Sequence, residues 1–291
     1  MLRQGDKVMN GVVEGLKRDD LFTVVLDHFQ TDTADYADFV LPATTFLEHT
    51  DLYFAYGHHW LQMARPAVAP PGQCRPNSEI FRALAKRMGF DEDCFDASAA
   101  EMIRQTLASG HPYLEGVTWE RLEAEHSVKL NVPELPFAAG FQTPSGKCDL
   151  EAADLDYRPP AESRLGSEAG RGYGLELVSS KNHNSLNSSF GWKPETDAET
   201  AVVEIHPDDA RRRGIEDGAA VEVYNARGAV RLTARVGATV RPGVVRAPMV
   251  RWAKRAGDGQ NVNLLISGRL TDIGGGPAFY NCLVEVRPCE S

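Results

Sequence analysis

Residues 203–228, VEIHPDDARRRGIEDGAAVEVYNARG, decide the fold of the C-terminal part of this 291-residue chain. The polar turn at His206-Pro207 leads into a short helix that runs through Arg213. Gly214 ends that helix, because glycine adopts the left-handed backbone conformation of a helix C terminus at little steric cost. The first half of the stretch therefore predicts a short helix with a defined end.

Two strands follow this helix. Asp217-Gly218 is a tight-turn pair, and residues 220–224 read as a strand. Residues 225–228 turn the chain, and residues 229–236 return as a second strand. Because short strands with Gly and Pro turns continue towards the C terminus, the sequence predicts a closed β-barrel.

The spacing of this stretch also resembles a known domain. Its pattern is Ala210-x3-Gly214-Ile215-x-Asp217-Gly218-x2-Val221-x-Val223-x-Asn225-x2-Gly228. It is similar to the dinucleotide-binding domain of prokaryotic molybdopterin oxidoreductases, the family of DMSO reductases, formate dehydrogenases and nitrate reductases. The resemblance implies a double-psi β-barrel over residues 175–291. It also implies a bis-molybdopterin guanine dinucleotide cofactor (bis-MGD) with molybdenum or tungsten.

The N-terminal part reads as the end of a parallel-sheet domain with helices. Residues 22–27 are an apolar, β-branched run typical of a buried parallel strand, and residues 37–42 form a second short strand. The pattern Asp27-x-Phe29-x-Thr31-x-Thr33-Ala34-x2-Ala37-Asp38-x-Val40-Leu41-Pro42-Ala43 resembles the α/β region of the same family. The alternative is an ordinary α/β crossover with polar turns. The family resemblance implies cofactor contacts at His28, Thr31 and Asp32.

Composition divides the chain into two domains and a connection. Amphipathic helices are predicted near residues 77–88, 97–109 and 118–125, within an α/β portion that spans residues 1–157. Residues 158–174 are rich in Pro, Gly, Ser and charge, which predicts a linker. The barrel domain follows.

A polar loop comes directly after the first barrel strand at residues 175–180. Residues 181–191 are mostly amides and hydroxyls, which are costly to bury without polar partners. A polar ligand would supply such partners, whereas the alternative is a solvent-exposed loop. By position, the family resemblance implies that this turn contacts the pterin and phosphates of one cofactor molecule through six residues: Ser179, Ser180, Lys181, His183, Asn187 and Ser188. Lys181 is the expected pyrophosphate partner.

A glycine triplet marks a second loop near the C terminus. Three consecutive glycines let backbone N–H groups approach an anion or a flat ring, although such triplets are more often flexible turns. The resemblance favours a ligand here, because the matching family segments surround the pterin. The implied contacts are Asn263, Asp272, Gly275 and Tyr280.

Charge and composition limit the function classes. The formal net charge of −10 argues against nucleic-acid binding as the main task. Residues 226–257 nevertheless carry eight basic residues and no acidic one. This run either faces an anionic ligand or acidic partner, or is balanced by acids elsewhere. No transmembrane segment or signal peptide is visible, so we expect a cytoplasmic protein, or a periplasmic one if a signal lies upstream.

The sequence shows no pattern of catalytic or metal-binding side chains that would support a reaction by this chain alone. The five cysteines are scattered, which predicts neither a disulfide framework nor a cluster site. His58-His59 could suggest a metal, but no carboxylate follows at ligand spacing, so packing or lining of a substrate funnel is preferred. We find no catalytic triad, P-loop or dinucleotide glycine motif, and we assign no catalytic or metal-ligating residue.

The expected function is therefore that of a cofactor-binding portion of a larger enzyme that acts on a small molecule. The resemblance places the metal ligand, and any iron–sulfur cluster, upstream of this sequence. The partner would be the N-terminal half of the enzyme or a separate subunit, and the chain would be inactive alone. Two alternatives stay open: a non-catalytic double-psi barrel that binds or assembles, and a stand-alone barrel enzyme with another active site.

Overall fold

The computed structural model describes residues 8–150, 156–272, 274–278 and 280–289. The chain forms two compact units. The barrel unit comprises Met1–Thr23, Thr31–Tyr36 and Asp156–Ser291, and the α/β unit comprises Val24–Gln30 and Ala37–Leu155.

The helices and strands follow in chain order. They are α1 (Val8–Leu16), β1 (Val24–Asp27), β2 (Phe39–Pro42), β3 (Asp51–Tyr53), β4 (Trp60–Ala64), α2 (Asn77–Met88), α3 (Ala99–Leu107), α4 (Trp119–Glu125), β5 (Ser127–Lys129), β6 (Leu175–Val178), α5 (Pro194–Thr200), β7 (Val202–Ile205), α6 (Pro207–Arg212), β8 (Ala220–Asn225), β9 (Gly228–Val236), β10 (Val244–Arg246) and β11 (Leu283–Pro288). Short 3-10 turns occur between them. Among the helices described, none has the length and apolar character needed to cross a membrane.

The α/β unit contains two small sheets. β1 and β2 pair in parallel, with Val24 opposite Phe39. β3, β4 and β5 form an antiparallel sheet in that order. Ser98 and Glu101 form a capping box at the start of α3, which satisfies amide groups that the helix itself leaves unpaired. The core of this unit is apolar and consists mainly of Leu61, Met63, Ile103, Val117, Leu122 and Val128.

The predicted elements of the α/β unit are found close to their expected positions. The predicted strands at 22–27 and 37–42 appear as β1 and β2, and the three predicted helices appear as α2, α3 and α4. The two histidines of the aromatic segment, His58 and His59, are exposed in the connection between β3 and β4. The α/β part of the predicted fold class is confirmed.

Six strands of the barrel unit close into a barrel in the order β10-β6-β11-β8-β9-β7. β10 pairs with β6 and β7 pairs with β9 in parallel, whereas the remaining neighbours are antiparallel. This mixed, closed arrangement is a double-psi barrel: the strand pattern predicted the closed barrel, and the family resemblance implied the double-psi type. The alternate apolar residues of its strands fill the interior, including Leu175, Leu177, Val203, Ile205, Val221, Val223, Val245 and Val284.

Residues 203–228 form one wall of this barrel. His206 precedes α6, and its Nδ1 accepts a hydrogen bond from the Asp208 amide at 3.2 Å. Gly214 follows the helix with a φ of 63°, and Gly218 turns the chain into β8 with a φ of 81°. At these positive φ angles a side chain would strain the backbone, so both glycines are required for the connection.

Residues 156–174 are held against the barrel by ion pairs. Glu162 is buried and its carboxylate accepts hydrogen bonds from Arg227 Nη1 at 2.9 Å and Nη2 at 2.6 Å. Arg164 Nε donates to Glu176 at 3.1 Å. The segment predicted as a linker is therefore attached to the barrel strands by one buried ion pair and one ion pair whose arginine is exposed.

The carboxylate of Glu285 on β11 gives the barrel a predicted pH dependence. Burial by itself favours the neutral carboxyl, but the hydrogen bonds from Arg213 and from the Val286 amide hold the pKa of Glu285 below its ordinary value of 4.5. The Glu285 carboxyl therefore binds its proton more weakly in the folded state than in the unfolded state, so it stabilises the fold at pH values above 4.5. This contribution is lost as the pH falls through the folded-state pKa.

We therefore expect Glu285→Gln to lose stability relative to the wild type near neutral pH, and much less near pH ~3. Urea unfolding of both proteins at the two pH values measures this difference. Glu216→Gln, which changes an exposed carboxylate of the same unit, is the matched control. A stability difference for Glu285→Gln that did not change with pH would contradict the assignment.

Candidate functional site

The barrel topology brings several polar loops to one end. β6 and β11 run antiparallel, with Leu283 opposite Glu176, so the loop after β6 and the loop before β11 leave the barrel on the same side. β10 runs parallel to β6, so the segment after β10 begins there as well. We call this the polar end, defined by residues 179–191 and 247–282. The two predicted contact loops of the barrel domain both lie here.

The first polar loop is fixed by side chains that point into its own scaffold. Asn182 Nδ2 donates to the Met249 carbonyl and to Ser185 Oγ, each at 2.7 Å. Asn184 Nδ2 donates to Glu199 Oε1 at 2.7 Å, and Glu199 Oε2 accepts from the backbone amide of Asn184 at 3.3 Å. These amides therefore set the path of the loop.

Other residues of the same loop point outward. Lys181, His183, Asn187 and Ser188 are exposed. Lys181 Nζ donates to Asn187 Oδ1 at 2.7 Å, which holds the ammonium group over the loop. Asn187 has a φ of 53°, a left-handed conformation that costs energy in a residue other than glycine. The loop thus presents a cation, an imidazole, an amide and a hydroxyl to solvent.

Ser179 and Ser180, the two predicted cofactor contacts at the start of the loop, are not exposed. Ser179 is completely buried. Ser180 Oγ accepts a hydrogen bond from Arg246 Nε at 2.6 Å. These two residues lie beneath the exposed donor set and support it.

Trp252 anchors the loop, a contact that the sequence did not predict. Its Nε1 donates to the Ser188 carbonyl at 2.9 Å, and the indole is buried. Gly191 packs against the ring so closely that an added Cβ would lie 2.3 Å from Nε1. A lone tryptophan in a region of Gly, Arg and Ala was the only sequence signal for this contact.

A polar cavity of about 300 Å³ lies beside the first loop. Glu204 is buried in its wall and accepts from Arg246 Nη1 at 2.9 Å, while Arg235 Nη1 lies 3.5 Å away. His183 and Glu199 also line it. The sequence did not single out these acidic residues, because each comes from a separate element.

The basic run at residues 226–257 is largely balanced by carboxylates. Seven of its eight cations lie within ion-pair distance of an acidic side chain, and the described ion pairs do not include Arg241. Arg227 pairs with Glu162, and Arg251 and Arg255 share Asp197. The interpretation as a charge-balanced surface is therefore favoured over an anion-binding face.

The second polar loop contains the glycine triplet in a tight turn. Thr271 N donates to the Gly276 carbonyl at 2.8 Å, and Gly276 N donates to Thr271 Oγ1 at 3.0 Å. Gly275 has a φ of 60°. Asp272, Gly275 and Tyr280 are exposed, whereas Asn263 is half-buried. Ile273 and Phe279 of this loop lie outside the described residues.

The three cofactor contacts predicted in the N-terminal part do not all belong to the same unit. Asp32 belongs to the barrel unit, where its carboxylate accepts from the amides of Ala253 at 2.7 Å and Lys254 at 3.1 Å. Thr31 accepts from Lys254 Nζ through its carbonyl at 3.2 Å. His28 belongs to the α/β unit, where its Nε2 lies 2.9 Å from the Thr44 carbonyl. The structure thus groups Thr31 and Asp32 with the polar end.

One cysteine is the last residue of the polar end. Cys282 is completely buried, and burial raises the pKa of its thiol to about 11, against the opposing effect of nearby Arg227. Its Sγ lies 2.9 Å from the Leu265 carbonyl and 3.4 Å from Asn225 Nδ2. The thiol is therefore neutral near pH ~7 and acts as a packing group.

Fold and site together define a double-psi barrel protein with a set of exposed polar side chains at one end. The profile of the molybdopterin oxidoreductase family matches residues 6–87, and that of the molydopterin dinucleotide binding domain matches residues 175–283. The chain belongs to the molybdopterin oxidoreductase family.

Individual relatives agree with this family. The probable oxidoreductase YoaE of Bacillus subtilis (strain 168) is 39% identical over 282 residues, 95% of this chain and 41% of that protein. The probable oxidoreductase YyaE of the same organism is 31% identical over 281 residues, 91% of this chain and 40% of that protein. Acetylene hydratase from Pelobacter acetylenicus has the same fold, with a TM-score of 0.80 at 23% identity, over 98% of this chain and 43% of that chain. The chain spans about two-fifths of the length of these relatives.

The residues at the polar end fit the group that the family implies. A pterin dinucleotide carries a pyrophosphate and a heterocycle edged with hydrogen-bond donors and acceptors. The exposed ammonium of Lys181 suits the pyrophosphate, and the side chains of His183, Asn187 and Ser188 suit polar ring edges. The side-chain amides of Asn182 and Asn184 hydrogen-bond to other protein groups and hold the loop in place. The four exposed side chains can therefore contact a ligand while the loop keeps this support.

Proposed function

We propose that this chain is the cofactor-binding portion of a molybdenum or tungsten bis-pterin oxidoreductase that acts on a small molecule. The observation that carries the proposal is the exposed donor set of the first polar loop, held in place by Trp252 and Glu199. The oxidoreductase names of the two Bacillus relatives support the reaction class. The domain profile over residues 175–283 supports molybdopterin guanine dinucleotide as the ligand.

The role of the chain's own residues is to bind and orient. Lys181 would neutralise pyrophosphate charge, and its hydrogen bond to Asn187 fixes the ammonium group in place. His183 and Ser188 would donate to or accept from the dinucleotide, while Arg246 and Glu204 hold the strands beneath. When bound, the metal and its pterin ligands supply two-electron redox chemistry, and the protein supplies position and electrostatics.

The metal ligand and any iron–sulfur cluster belong, in this proposal, to the rest of the enzyme. The relatives are more than twice as long as the region they share with this chain. We therefore expect the chain to be inactive alone and to function with an upstream half or a partner subunit.

Cofactor loading tests the proposal directly. The chain is co-expressed with the part of YoaE that lies outside the matched region, and the purified complex is analysed for pterin, guanine nucleotide, molybdenum and tungsten. Lys181→Met is expected to lower pterin affinity about tenfold or more, because a charge-assisted hydrogen bond contributes roughly 1.5–3 kcal/mol and each 1.4 kcal/mol is about tenfold.

Arg241→Ala is the matched control, because it removes an exposed cation from the turn before β10, at the opposite end of the barrel. It should leave the pterin content unchanged. A complex that contains neither pterin nor metal would overturn the proposal. A complex whose pterin content was the same in Lys181→Met would remove Lys181 from the binding site.

A further inference from the structure

A short segment before β2, residues 31–36, belongs to the barrel unit. We call it the capping segment. Its Asp32 is half-buried and uses both carboxylate oxygens: Oδ2 accepts from the Ala253 amide at 2.7 Å, and Oδ1 accepts from the Lys254 amide at 3.1 Å. These amides open the 3-10 turn Ala253–Arg255, and the first amides of a helical turn have no partner within it. Asp32 therefore caps a turn that lies 221 residues away in sequence.

Lys254 returns the contact from the turn to the capping segment. Its Nζ donates to the Thr31 carbonyl at 3.2 Å and to Asp35 Oδ2 at 3.0 Å. The same ammonium group lies 5.7 Å from the centroid of the Trp252 ring, within the range of a cation–π contact. Hydrogen bonds with a charged partner are roughly twice as strong as neutral ones. The capping segment and the turn therefore hold each other through charged groups on both sides.

Residues 251–255, which we call the Trp252 turn, are connected to the first polar loop by two routes. Trp252 Nε1 donates to the Ser188 carbonyl at 2.9 Å, so the turn holds the loop directly. Arg255 Nε donates to Asp197 Oδ2 at 2.8 Å, and Asp197 lies on α5. The same helix supports the start of the loop through Glu199. A displacement of the Trp252 turn would therefore reach the loop at two points.

We propose that Asp32 is a positioning residue for the ligand site at the polar end. By capping the Trp252 turn, Asp32 fixes Trp252, and Trp252 fixes the loop conformation in which Lys181 and His183 are exposed. Asp32 acts on the ligand through this turn, whereas the family resemblance implied a direct contact. The pterin dinucleotide as ligand rests on the proposed function. The capping contact and its effect on the loop do not.

Amide exchange in the chain alone tests the effect on the loop. Asp32→Ala removes both acceptors, and Asp32→Asn keeps one. The amides of Ser189 and Gly191, which donate to carbonyls within the loop, should exchange at least about tenfold faster in Asp32→Ala and less so in Asp32→Asn. The amides of β8 and β9 should be unchanged. Asp19→Ala, which removes an exposed carboxylate of the same unit, is the matched control and should exchange like the wild type.

A double-mutant cycle separates an indirect role from direct contact with the ligand. Pterin affinity is measured in the complex with the unmatched part of YoaE. Asp32→Ala is expected to lower it about fivefold or more, and Trp252→Phe, which removes the indole N–H and keeps a ring, should also lower it. Because Asp32 acts through Trp252, the loss in the double variant should be at least about threefold smaller than the product of the two single losses.

The outcomes distinguish this inference from the proposed function. Unchanged exchange of the loop in Asp32→Ala, equal acceleration in β8 and β9, or single losses that multiply in the double variant would each overturn it. Lys254→Met guards against a folding failure of Asp32→Ala, because it removes only the donor to Thr31 and Asp35 and should accelerate the same two loop amides. A wild-type complex without pterin would overturn the proposed function, and the exchange comparison would still decide the capping role.

Discussion

Glu162→Gln is expected to lower the free energy of unfolding of the barrel unit by about 3–5 kcal/mol. The buried Glu162 carboxylate receives two hydrogen bonds from Arg227, at 2.6 and 2.9 Å. Arg227 also donates through Nε to the Leu265 carbonyl at 2.8 Å, so its guanidinium is fixed in place. Glutamine would leave that charge buried without a counter-charge. Urea unfolding followed by circular dichroism measures the loss.

Two further variants show whether burial causes this effect. Arg211→Gln breaks an ion pair with Asp208 whose side chains are 77% and 51% exposed, and it should cost less than about 1 kcal/mol. Glu162→Leu combined with Arg227→Met should recover part of the stability, because no charge then remains buried. A loss below about 1 kcal/mol for Glu162→Gln would mean that water reaches the pair.

Gly191→Ala is the second change with a large expected effect. The new Cβ would lie 2.3 Å from Trp252 Nε1 and 2.5 Å from Cδ1, well inside contact distance. Because the indole is buried, relief requires movement of the ring and loss of its 2.9 Å hydrogen bond to the Ser188 carbonyl. We expect a stability loss of about 1–3 kcal/mol from overpacking. The same displacement should reduce the pterin content of the complex.

Gly237→Ala is the control for this prediction. Gly237 has a φ outside the left-handed range, and no atom lies within 4 Å of the added Cβ. Its stability and pterin content should therefore match the wild type. Tryptophan fluorescence adds a local measurement, because only Gly191→Ala should change the environment of Trp252. Normal stability, fluorescence and pterin content in Gly191→Ala would contradict the packing of the loop on Trp252.

Local chemistry explains why much of the fold was predictable. Gly214 and Gly218 have positive φ angles, and the sequence marks both positions with glycine. The strands predicted at 220–224 and 229–236 are β8 and β9, joined at the predicted turn. Helix α5 (Pro194–Thr200) was not predicted. Its sequence, PETDAET, has no apolar periodicity, and its two buried residues, Thr196 and Thr200, are both polar.

The candidate site was only partly predictable. The loop itself was identified because a polar segment after a core strand is unusual. Lys181 and His183 were implied by the family resemblance, and both are exposed. Asp32 was expected to contact a cofactor, yet its carboxylate accepts two amides more than 200 residues away in sequence. The role of Trp252 in holding residue 188 could not be found from spacing, because the two positions are 64 residues apart.

The sequence by itself determined the barrel, its turns, the polar loop after β6 and the family to which the chain belongs. These features rest on neighbours in sequence, through backbone conformation at glycines and alternation along strands. Only the tertiary structure decided which loop residues face solvent and how the basic run is balanced. Those outcomes depend on carboxylates and amides brought together from distant positions, and local sequence does not encode which distant partner a side chain will meet.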